Sequence, residues 1–555
     1  MRRGYRKAQW VVLFSLMIFY LVTLVRVHLY PDPRATEQLM KQYRQSERSA
    51  VDRGAIYDCN GEPLALSVTT YSVYMDPGMT GFDPSSVNKL KPYVGSAKVK
   101  ALNERLDRRF NWVKRYLSRE EAEEILELCG RNRGYYLREE RKRVYPKGSM
   151  LSHLLGYCDQ DGWGLAGVEL SWNSTLLVPE KRRISYRGAL QVDMDSGRGD
   201  DCARKGLFLT IDSDMQYAME RFLNARADEL HAPWAAGVCI ESKTGEIKAM
   251  ASYPIFDSNN RATFSNVEAL NNNAINRVYE PGSTFKPIMV AMALERGRLK
   301  QNDKFRCPAH LKVADGTISD SHPRDNGVLS VAEIIEKSSN VGMAHVGMLM
   351  SPHSTYEEMR AWGMGARTGI KLSGEEIGLL PTADRWYGIT PANIAIGQGF
   401  AVTPLQLTAA FNAIVNDGVL LRPYLVRSAV DSKGQLIYRS SPMEVNRVLS
   451  PKNSKWLRGV LRQVVVRGTG RPADSSLVHV AGKTGTAQVA HGGKYVKGRY
   501  NASMIGFWPA NNPEYTMLIV FGDVTGKLYY GSSVAGPIFK NIIDEVERLK
   551  GLRIK

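Results

Sequence analysis

The sequence lacks the closely spaced cysteines that build zinc sites and redox centres. Its 555 residues include six cysteines, and the two nearest to each other along the chain are Cys129 and Cys158. No CxxC pair therefore occurs, and the cysteine content is too low for a disulfide-dense secreted scaffold. Cysteines this scattered are more often small buried hydrophobic residues than ligands, and one or more disulfides stay open as the alternative.

The sequence also lacks internal repeats and low-complexity segments, and it has only one uncharged run of membrane-spanning length. Hydrophobic residues make up 43% of the chain and charged residues 23%. This is ordinary globular usage, which excludes wholesale disorder and collagen-like structure. At roughly 150 residues per domain, the length predicts about two to four domains, and such a chain can bury a large core without disulfides or metals.

Acidic residues are in the minority. The chain has 74 Lys and Arg against 56 Asp and Glu, a formal charge of +18. This excess favours anionic neighbours such as nucleic acid, anionic lipid or an acidic polymer, and a solvated basic face explains it equally well. We predict such a solvated face for one group of arginines: Arg131, Arg133, Arg138, Arg141 and Arg143.

The uncharged run covers residues 8–25 and predicts a transmembrane helix. It is roughly 27 Å long as a helix, and snorkelling of Arg26 extends it to Tyr30, close to a hydrocarbon core of about 30 Å. Because only cations precede it, the positive-inside rule places residues 1–9 in the cytoplasm, residues 10–30 in the membrane and the remainder outside, where nucleic acid is not an expected ligand. A cleaved signal peptide is the alternative, but the run is long for that and lacks a small-x-small cleavage site.

The secondary-structure signals change near residue 206. Between residues 31 and 200 the pattern is irregular and basic, with one clear helix that begins at a capping box of Ser118 and Glu121 and ends at Gly130. From residue 206 onwards the pattern becomes α/β. The predicted strands and helices of this part are strands at 207–211, 237–241, 247–252, 501–507 and 515–521 and helices at 214–227 and 534–549.

The sharpest candidate site begins with the run Glu280-Pro-Gly-Ser283-Thr-Phe-Lys286-Pro287. Pro287 is tolerated in the first turn of a helix, so the run predicts a helix N-terminus whose partial positive charge favours an oxyanion near Ser283. Lys286 follows Ser283 by about one turn and lies on the same face. A serine beside a lysine is a workable nucleophile–base pair when the lysine is neutral, and desolvation or a second cation lowers its pKa.

A second motif, Ser338-Ser339-Asn340, follows a short helix that opens with the capping box Ser330–Glu333. A hydroxyl and an amide two residues apart in a loop can face the same cleft. Ser338 can then relay a proton between Lys286 and a leaving group, and Asn340 can hold a substrate amide.

The third motif, Lys483-Thr484-Gly485-Thr486, predicts an exposed strand. Gly485 lets another backbone approach closely, and the threonine hydroxyls together with Lys483 can hold a carboxylate. The backbone amides of Thr486 and Ser283 can form an oxyanion hole.

Each motif alone is a weak signal. Ordinary serine and lysine usage gives about two chance SxxK matches in a chain of this length, and a second KTG occurs at Lys243-Thr244-Gly245, which we interpret as a hairpin turn. The three motifs in order, each in a suitable local context, are specific. The bland alternative is an unrelated surface serine, loop amide and edge-strand lysine.

The order SxxK, SxN, KTG resembles the penicillin-recognising serine acyltransferases, which are the penicillin-binding transpeptidases and serine β-lactamases. Further runs are similar to motifs of the class B penicillin-binding proteins: Arg53-Gly-Ala-Ile-Tyr-Asp58, Arg143-Val-Tyr145, Gly167-Val-Glu169, Gly397-Gln-Gly399 and Tyr529-Tyr-Gly531. The compact N-terminal part and the Tyr-Tyr-Gly ending look more like the division type than the elongation type. Cys59 departs from the pattern, since the entry motif usually carries arginine there.

The resemblance implies a multidomain architecture. A single transmembrane helix is followed by an irregular α+β pedestal domain over residues 31–200, which serves dimerisation or partner binding. An α/β penicillin-binding transpeptidase domain, an antiparallel sheet flanked by helices, then covers residues 206–550. The enzyme is expected in the cytoplasmic membrane as a single-pass protein, with its catalytic domain outside the cell.

The resemblance also implies a reaction. Ser283 attacks the D-Ala-D-Ala carbonyl of a peptidoglycan stem peptide, D-alanine leaves, and an amine of a neighbouring stem resolves the acyl-enzyme into a cross-link. Lys286 serves as the base and Ser338 as the proton shuttle. Lys483, with Thr484 and Thr486, holds the terminal carboxylate of a donor peptide that adds as a strand beside Lys483.

No cofactor is implied, because the leaving group and both nucleophiles are organic. The implied partners are glycan strands carrying stem peptides, β-lactams as covalent inhibitors, a membrane-embedded glycan polymerase of the shape, elongation and division family, and other division proteins. Three alternatives are open: an elongation-type enzyme, a hydrolase (carboxypeptidase or β-lactamase), and a β-lactam sensor or silent scaffold. A sensor needs a cytoplasmic module, and a silent scaffold is expected to have lost a motif residue.

Overall fold

Two sheets organise the protein, whose computed structural model describes residues 15–20, 53–130, 133–177, 205–492 and 494–554. The strands and helices before residue 178 are β1 (Ala55–Tyr57), β2 (Pro63–Met75), α1 (Lys91–Asn103), β3 (Asn111–Leu117), α2 (Arg119–Cys129), β4 (Tyr135–Val144), α3 (Ser152–Leu155), α4 (Gly167–Ser171) and α5 (Asn173–Leu176).

The strands after residue 205 are β5 (Gly206–Leu209), β6 (Trp234–Glu241), β7 (Ile247–Tyr253), β8 (Lys304–Arg306), β9 (His310–Val313), β10 (Gly316–Ser319), β11 (Val328–Ser330), β12 (Val419–Leu421), β13 (Val426–Val430), β14 (Leu436–Arg439), β15 (Glu444–Arg447), β16 (Ala481–His491), β17 (Lys494–Trp508) and β18 (Tyr515–Val524). The helices there are α6 (Ser213–Leu230), α7 (Asn273–Asn276), α8 (Lys286–Glu295), α9 (Val331–Glu336), α10 (Asn340–Gly347), α11 (Pro352–Ala361), α12 (Thr390–Ala395), α13 (Pro404–Val415), α14 (Pro451–Val466), α15 (Gly531–Val534) and α16 (Gly536–Ile554).

The membrane anchor predicted over residues 10–30 lies outside the described residues except for 15–20, which are helical with exposed side chains. Within the described ranges, no helix combines the length and apolarity that crossing a membrane requires.

The five-stranded antiparallel sheet has the order β16-β17-β18-β6-β7. The predicted hairpin of residues 237–252 forms its β6–β7 end, and every residue of β6 but the last is buried. One face packs against α6 and α16 through residues such as Met219, Ile519 and Phe539, and the other packs against the central helices α8 and α13. An antiparallel sheet flanked by helices, as predicted, is therefore the second half of the fold.

The other large sheet has seven strands, in the order β14-β13-β5-β1-β2-β3 with β4 also paired to β2. Its β2–β4 part packs on α1 and α2 through a separate core that includes Val73, Val113 and Ile125. The strand expected at 207–211 does form, over Gly206–Leu209, but it lies parallel to β1 in this sheet and not in the five-stranded one. The pedestal sheet thus continues into strands that come later in the chain.

Local sequence signals account for several element ends. Both predicted capping boxes, at Ser118 and Ser330, form with reciprocal hydrogen bonds. The second KTG lies in the turn between β6 and β7, where Lys243 contacts Asp417 and is distant in the fold from the edge strand β16. The cysteines that the structure describes are free thiols. Cys59 is partly exposed, and the other four are buried: Cys129, Cys158, Cys239 and Cys307. Cys202 lies outside the described residues.

A buried ion triad joins three of the pedestal motifs. Glu169 accepts hydrogen bonds from Arg53 at 2.6 Å and from Arg143 at 2.7 Å, and all three side chains are at most 5% exposed. Burial alone would raise the pKa of Glu169, and the charges of Arg143 and Arg53 reverse this and lower it. The prediction that Arg143 belongs to a solvated face is therefore wrong, because its counter-charge comes from a segment remote in sequence.

Removal of the central carboxylate leaves two buried guanidiniums without a counter-charge. For Glu169→Ala we expect a loss of about 3–5 kcal/mol in the free energy of unfolding, measured by urea denaturation of the whole protein. The matched control is Glu62→Ala, which removes an exposed partner of Lys147 at 3.4 Å and should leave the unfolding midpoint unchanged. Equal shifts for the two variants would contradict a structural role for the triad.

Candidate active site

Ser283 lies at an opening in an otherwise buried segment. It sits in a short 3₁₀ turn, Gly282–Thr284, directly before α8, and Pro287 occupies the first turn of that helix as predicted. From residue 281 to residue 294, Ser283 is the only residue that is not buried. The turn is held by Gly282, whose amide donates to the carbonyl of Gly397 at 2.9 Å.

Gly397 has to be glycine for this contact. It has a φ of +84°, and a Cβ there would lie 2.0 Å from the carbonyl oxygen of Gly282. The Gly397-Gln-Gly399 run singled out in the sequence is thus the support against which the Ser283 turn rests.

Ser338 is the hub of the site. Its hydroxyl donates to Ser283 Oγ at 3.1 Å and accepts from Lys286 Nζ at 3.3 Å and from Lys483 Nζ at 3.0 Å. It lies between α9 and α10 with a φ of +58°, a conformation that costs energy for a residue other than glycine and is seen where the surrounding structure enforces it. One hydroxyl therefore links the first and third motifs.

Lys286 is fully buried and its amine has three acceptors. These are the carbonyl of Ser338 at 2.7 Å, Asn340 Oδ1 at 2.7 Å and the hydroxyl of Ser338. Burial lowers the pKa of Lys286 to about 7, against an opposing effect of the Asp320 carboxylate. Near neutral pH a large share of this amine is thus unprotonated, as a general base must be.

Lys483 is also fully buried, on β16, and donates to the Ser338 hydroxyl and to the carbonyl of Thr484. Burial and the nearby charge of Lys286 lower the pKa of Lys483 well below its usual value. Two amines beside one hydroxyl make each protonation less favourable than it would be alone.

Gly485 allows the Ser283 turn to pack directly on β16. A Cβ on Gly485 would lie 2.5 Å from Ser503 Oγ, 2.9 Å from Thr284 Cγ2 and 3.2 Å from the backbone carbonyl oxygen of Pro281, so the predicted close approach of another backbone segment is confirmed. Gly531 makes a similar contact from the other side, since a Cβ there would lie 2.2 Å from the carbonyl oxygen of Gly485. The Tyr-Tyr-Gly run is thus explained by its packing on this strand.

The two threonines of the third motif have different surroundings. Thr484 is buried and donates to Thr469 Oγ1 at 3.0 Å, whereas Thr486 is partly exposed and its hydroxyl accepts from the amide of Gly531 at 2.9 Å. Their strand, β16, is an edge strand that pairs only with β17. Its other edge is therefore available for an added strand.

Asn340 is engaged within the protein at both ends of its amide. Oδ1 accepts from Lys286, and Nδ2 donates to the carbonyl of Ser319 at 3.0 Å. This differs from the expectation that Asn340 is free to hold a substrate amide, because the buried lysine claims the carbonyl oxygen.

Asp320 was missed by the sequence reasoning. Its carboxylate accepts from the amides of Asn340 at 2.5 Å and Val341 at 3.2 Å, and from Ser339 Oγ at 3.1 Å. These hydrogen bonds hold the second motif in place at the start of α10. No motif marks this aspartate, since it simply follows the short strand β10.

Glu280 is the second residue that was overlooked, although it begins the quoted Ser283 run. Its Oε1 accepts from the amide of Gly399 at 2.9 Å and from Tyr495 OH at 3.4 Å, and burial raises its pKa. The carboxylate therefore ties the β16–β17 hairpin to the turn that carries the nucleophile. Among the described residues, no group of three or more His, Cys, Asp or Glu is arranged to hold a metal.

Chemically, the arrangement joins a serine hydroxyl to two amines through one relay hydroxyl. All eight residues predicted for the site lie on three segments that meet here, the Ser283 turn with the start of α8, the Ser338 loop with the start of α10, and β16, whereas Lys243 of the second KTG does not.

The lowered pKa of Lys286 predicts a pH-dependent stability. Between pH 7 and the usual lysine value of 10.5, the unfolded state binds one more proton than the folded state, so stability rises with pH by about 1.4 kcal/mol per unit. Below pH 7 both states are protonated and the burial cost is fully present. Lys286→Met lacks this proton, so the wild type should gain stability relative to the variant from pH 7 to pH 9.5 in urea denaturation.

The control for this titration is Lys452→Met, at an exposed position on α14, whose stability difference from the wild type should stay constant with pH. A constant difference for Lys286→Met as well would contradict a buried, mainly neutral amine.

Two family models match the chain. The penicillin binding protein transpeptidase domain matches residues 235–544, and the penicillin-binding protein dimerisation domain matches residues 48–177. The first match includes all three motifs, and the second covers the triad and the β1–β4 sheet.

Similar proteins carry related names. The chain is 30% identical to stage V sporulation protein D of Bacillus subtilis over 97% of this chain and 85% of that protein. It is 31% identical to peptidoglycan D,D-transpeptidase FtsI of Escherichia coli over 93% of this chain and 87% of that protein.

Among solved structures, penicillin-binding protein 3 of Mycobacterium tuberculosis, complexed with aztreonam, has a TM-score of 0.70 and 26% identity, covering 91% of this chain and 97% of that one. The motifs, the sheet that carries them and these similarities agree: the chain belongs to the penicillin-binding proteins, with a transpeptidase domain that follows a dimerisation domain.

Proposed function

We propose that the protein is a peptidoglycan D,D-transpeptidase that cross-links stem peptides through an acyl-enzyme on Ser283. The observation that carries the proposal is the hydrogen-bonded chain from Ser283 Oγ through Ser338 Oγ to the buried amines of Lys286 and Lys483. When the Ser338 hydroxyl turns so that it accepts from Ser283 and donates to the neutral amine of Lys286, the nucleophile can lose its proton inward while it attacks a substrate from outside.

In the first half-reaction, the Ser283 hydroxyl loses its proton toward Lys286 as its oxygen attacks the penultimate D-alanine carbonyl of the donor stem peptide. The backbone amides of Ser283 and Thr486 stabilise the oxyanion. The peptide C–N bond breaks, the leaving D-alanine takes a proton through Ser338, and an ester to Ser283 remains.

In the second half-reaction, the amine of a neighbouring stem peptide attacks this ester. The amine loses a proton, Ser283 regains one, and the new amide is the cross-link. Lys286 is suited to both halves because a pKa of about 7 lets it accept and return a proton near neutral pH.

The donor peptide binds as an extra strand on the free edge of β16, with its terminal carboxylate held by Lys483, Thr484 and Thr486. Thr486 is the most accessible of the three, so we assign it the direct hydroxyl contact. Asn340 orients Lys286 through Oδ1.

The finer proposals concern place and partners. We infer an anchor over residues 10–30 with the N-terminus inside, from the uncharged run and its preceding cations. We also propose a septal role, alongside a membrane-embedded glycan polymerase and other division proteins. The names of the FtsI relatives from Escherichia coli and Buchnera aphidicola support the septal role.

Fluorescent penicillin tests the catalytic assignment. We expect Ser283→Ala to abolish covalent labelling, and Lys483→Ala to slow it by about a hundredfold or more, as loss of a transition-state contact does. The matched control is Lys243→Ala, in the second KTG, which should label at the wild-type rate. Labelling that survives Ser283→Ala would overturn the proposal.

A separate, unlabelled sample of the enzyme is then given a pentapeptide and an amine acceptor. Release of D-alanine with formation of the amide supports a transpeptidase, and release without amide supports a carboxypeptidase. Rapid loss of the penicillin label supports a β-lactamase. Stable labelling without any turnover supports a sensor or scaffold.

Localisation of a fluorescently tagged, functional copy tests the division role. We expect enrichment at the septum, and an even distribution along the side wall would support the elongation type instead. The control is the Ser283→Ala protein carrying the same tag, which separates recruitment from activity.

A further inference from the structure

The outer face of the pedestal sheet carries a cluster of aromatic and basic side chains. One face of β2, β3 and β4 packs on α1 and α2. The opposite face bears five rings and three cations, which we term the aromatic–basic face: Tyr74, Phe110, Trp112, Tyr116, Tyr136, Arg115, Arg138 and Lys142.

Four of the five rings contact one another in a continuous row. Tyr74 stacks on Phe110 at 4.8 Å and on Tyr136 at 5.4 Å, and Phe110 meets Trp112 edge-on at 4.9 Å. The row crosses all three strands, since Tyr74 is paired in register with both Trp112 and Tyr136. Phe110 is 44% exposed, so this row borders solvent and is not part of the core.

The three cationic side chains lie over two of the five rings, Trp112 and Tyr116. The Arg115 guanidinium lies 4.8 Å from the Trp112 ring and 4.9 Å from the Tyr116 ring, Arg138 lies 5.8 Å from Trp112, and Lys142 lies 5.8 Å from Tyr116. Such contacts hold long basic side chains in place over a surface. The cationic groups of this face are therefore pre-ordered, which lowers the entropy cost of binding a partner.

The face is positively charged. Arg115 is matched by Glu140, which is buried and paired with it at 2.7 Å, and Asp161 lies near enough to raise the pKa of Arg115. With Arg138 and Lys142 counted as well, three cations stand against these two carboxylates, which leaves a small positive excess, and Lys142 is exposed. Charge complementarity thus favours an anionic partner.

We propose that the aromatic–basic face is the docking surface for an acidic segment of another protein. Tyr, Trp, Phe and Arg are the residues enriched at the energetic centres of protein interfaces. The stacked rings and the overlying guanidiniums occupy ring faces, which leaves ring edges, together with the exposed Phe110 and Lys142, for a partner. Ring edges carry partial positive charge, which suits carboxylates and not the flat stacking that a sugar needs.

Self-association through this face is disfavoured, although the matching family model is named a dimerisation domain. A two-fold contact would bring the same cations of both copies together, and like charges across an interface are costly. The proposal does not depend on the catalytic assignment, because the residues of this face contact none of the site residues.

The first experiment replaces Phe110 with a photo-crosslinking phenylalanine analogue in cells that express the full chain. We expect an adduct whose cross-linked peptide, identified by mass spectrometry, is rich in Asp and Glu and belongs to another protein. The control places the same analogue at Leu436, an exposed residue of β14. Adducts only to a second copy of this chain, to lipid or to glycan, or none at all, would overturn the proposal.

The second experiment measures binding of the synthetic cross-linked peptide to the purified protein. We expect Arg138→Glu with Lys142→Glu to weaken binding about tenfold or more, and a peptide with its acids changed to lysine to restore it. The matched control is Lys452→Glu with Lys455→Glu, at exposed positions on α14, which should leave affinity within about twofold. Equal losses for both pairs, or no rescue, would show non-specific attraction and refute a docking site.

Unchanged labelling by fluorescent penicillin together with an unchanged urea-unfolding profile verifies that the variants are folded. The Arg138 and Lys142 pair is chosen because Arg115 also neutralises a buried carboxylate, so its loss would mix binding with stability.

Discussion

Two lysine amines are buried completely around one serine hydroxyl, and the rest of the site depends on that constraint. A buried ammonium group without a counter-charge destabilises the protein. This cost is reduced in part because the site favours the neutral form of each amine. Lys286 and Lys483 both have lowered pKa values, from desolvation first of all. The Ser338 hydroxyl, which accepts from both amines, is therefore placed where a proton can move with little change in energy.

Three segments that are remote in sequence have to meet so that both amines lie beside the Ser338 hydroxyl. The Ser283 turn comes from the start of a buried helix, Ser338 comes from a loop with a left-handed backbone, and Lys483 comes from an edge strand. Asp320 limits how far the pKa of Lys286 is lowered, since its carboxylate opposes the effect of burial on that amine. A carboxylate paired directly with the amine would hold it charged, whereas Asp320 is occupied by two backbone amides, the Ser339 hydroxyl and the Asn326 side-chain amide.

Local chemistry made much of this predictable. Capping boxes, a proline in a first turn and a hairpin turn depend only on residues that are close together in the sequence, and the structure confirms each of them. Arg143, Asp320 and strand β5 show where such reasoning ends. Arg143 has the same local appearance as the nearby arginines that were grouped with it, and its burial follows from Glu169, which only the tertiary fold brings near. Periodicity likewise predicts a strand at β5 but not the sheet that it joins.

The seven-stranded sheet contains strands of the pedestal and strands from later in the chain. This sharing bears on how the pedestal contributes to function. Strand β5 pairs with β1 and is followed at once by α6, which packs on the catalytic sheet. Asp58 accepts from Ser213 Oγ at 2.6 Å at the start of that helix. Transmission of a signal along this route would need an element with two arrangements, and a buried triad with several charge-assisted hydrogen bonds favours one. The described contacts therefore join the pedestal to the catalytic sheet through a single well-bonded arrangement, and a partner bound at the aromatic–basic face would meet no two-state element along this route.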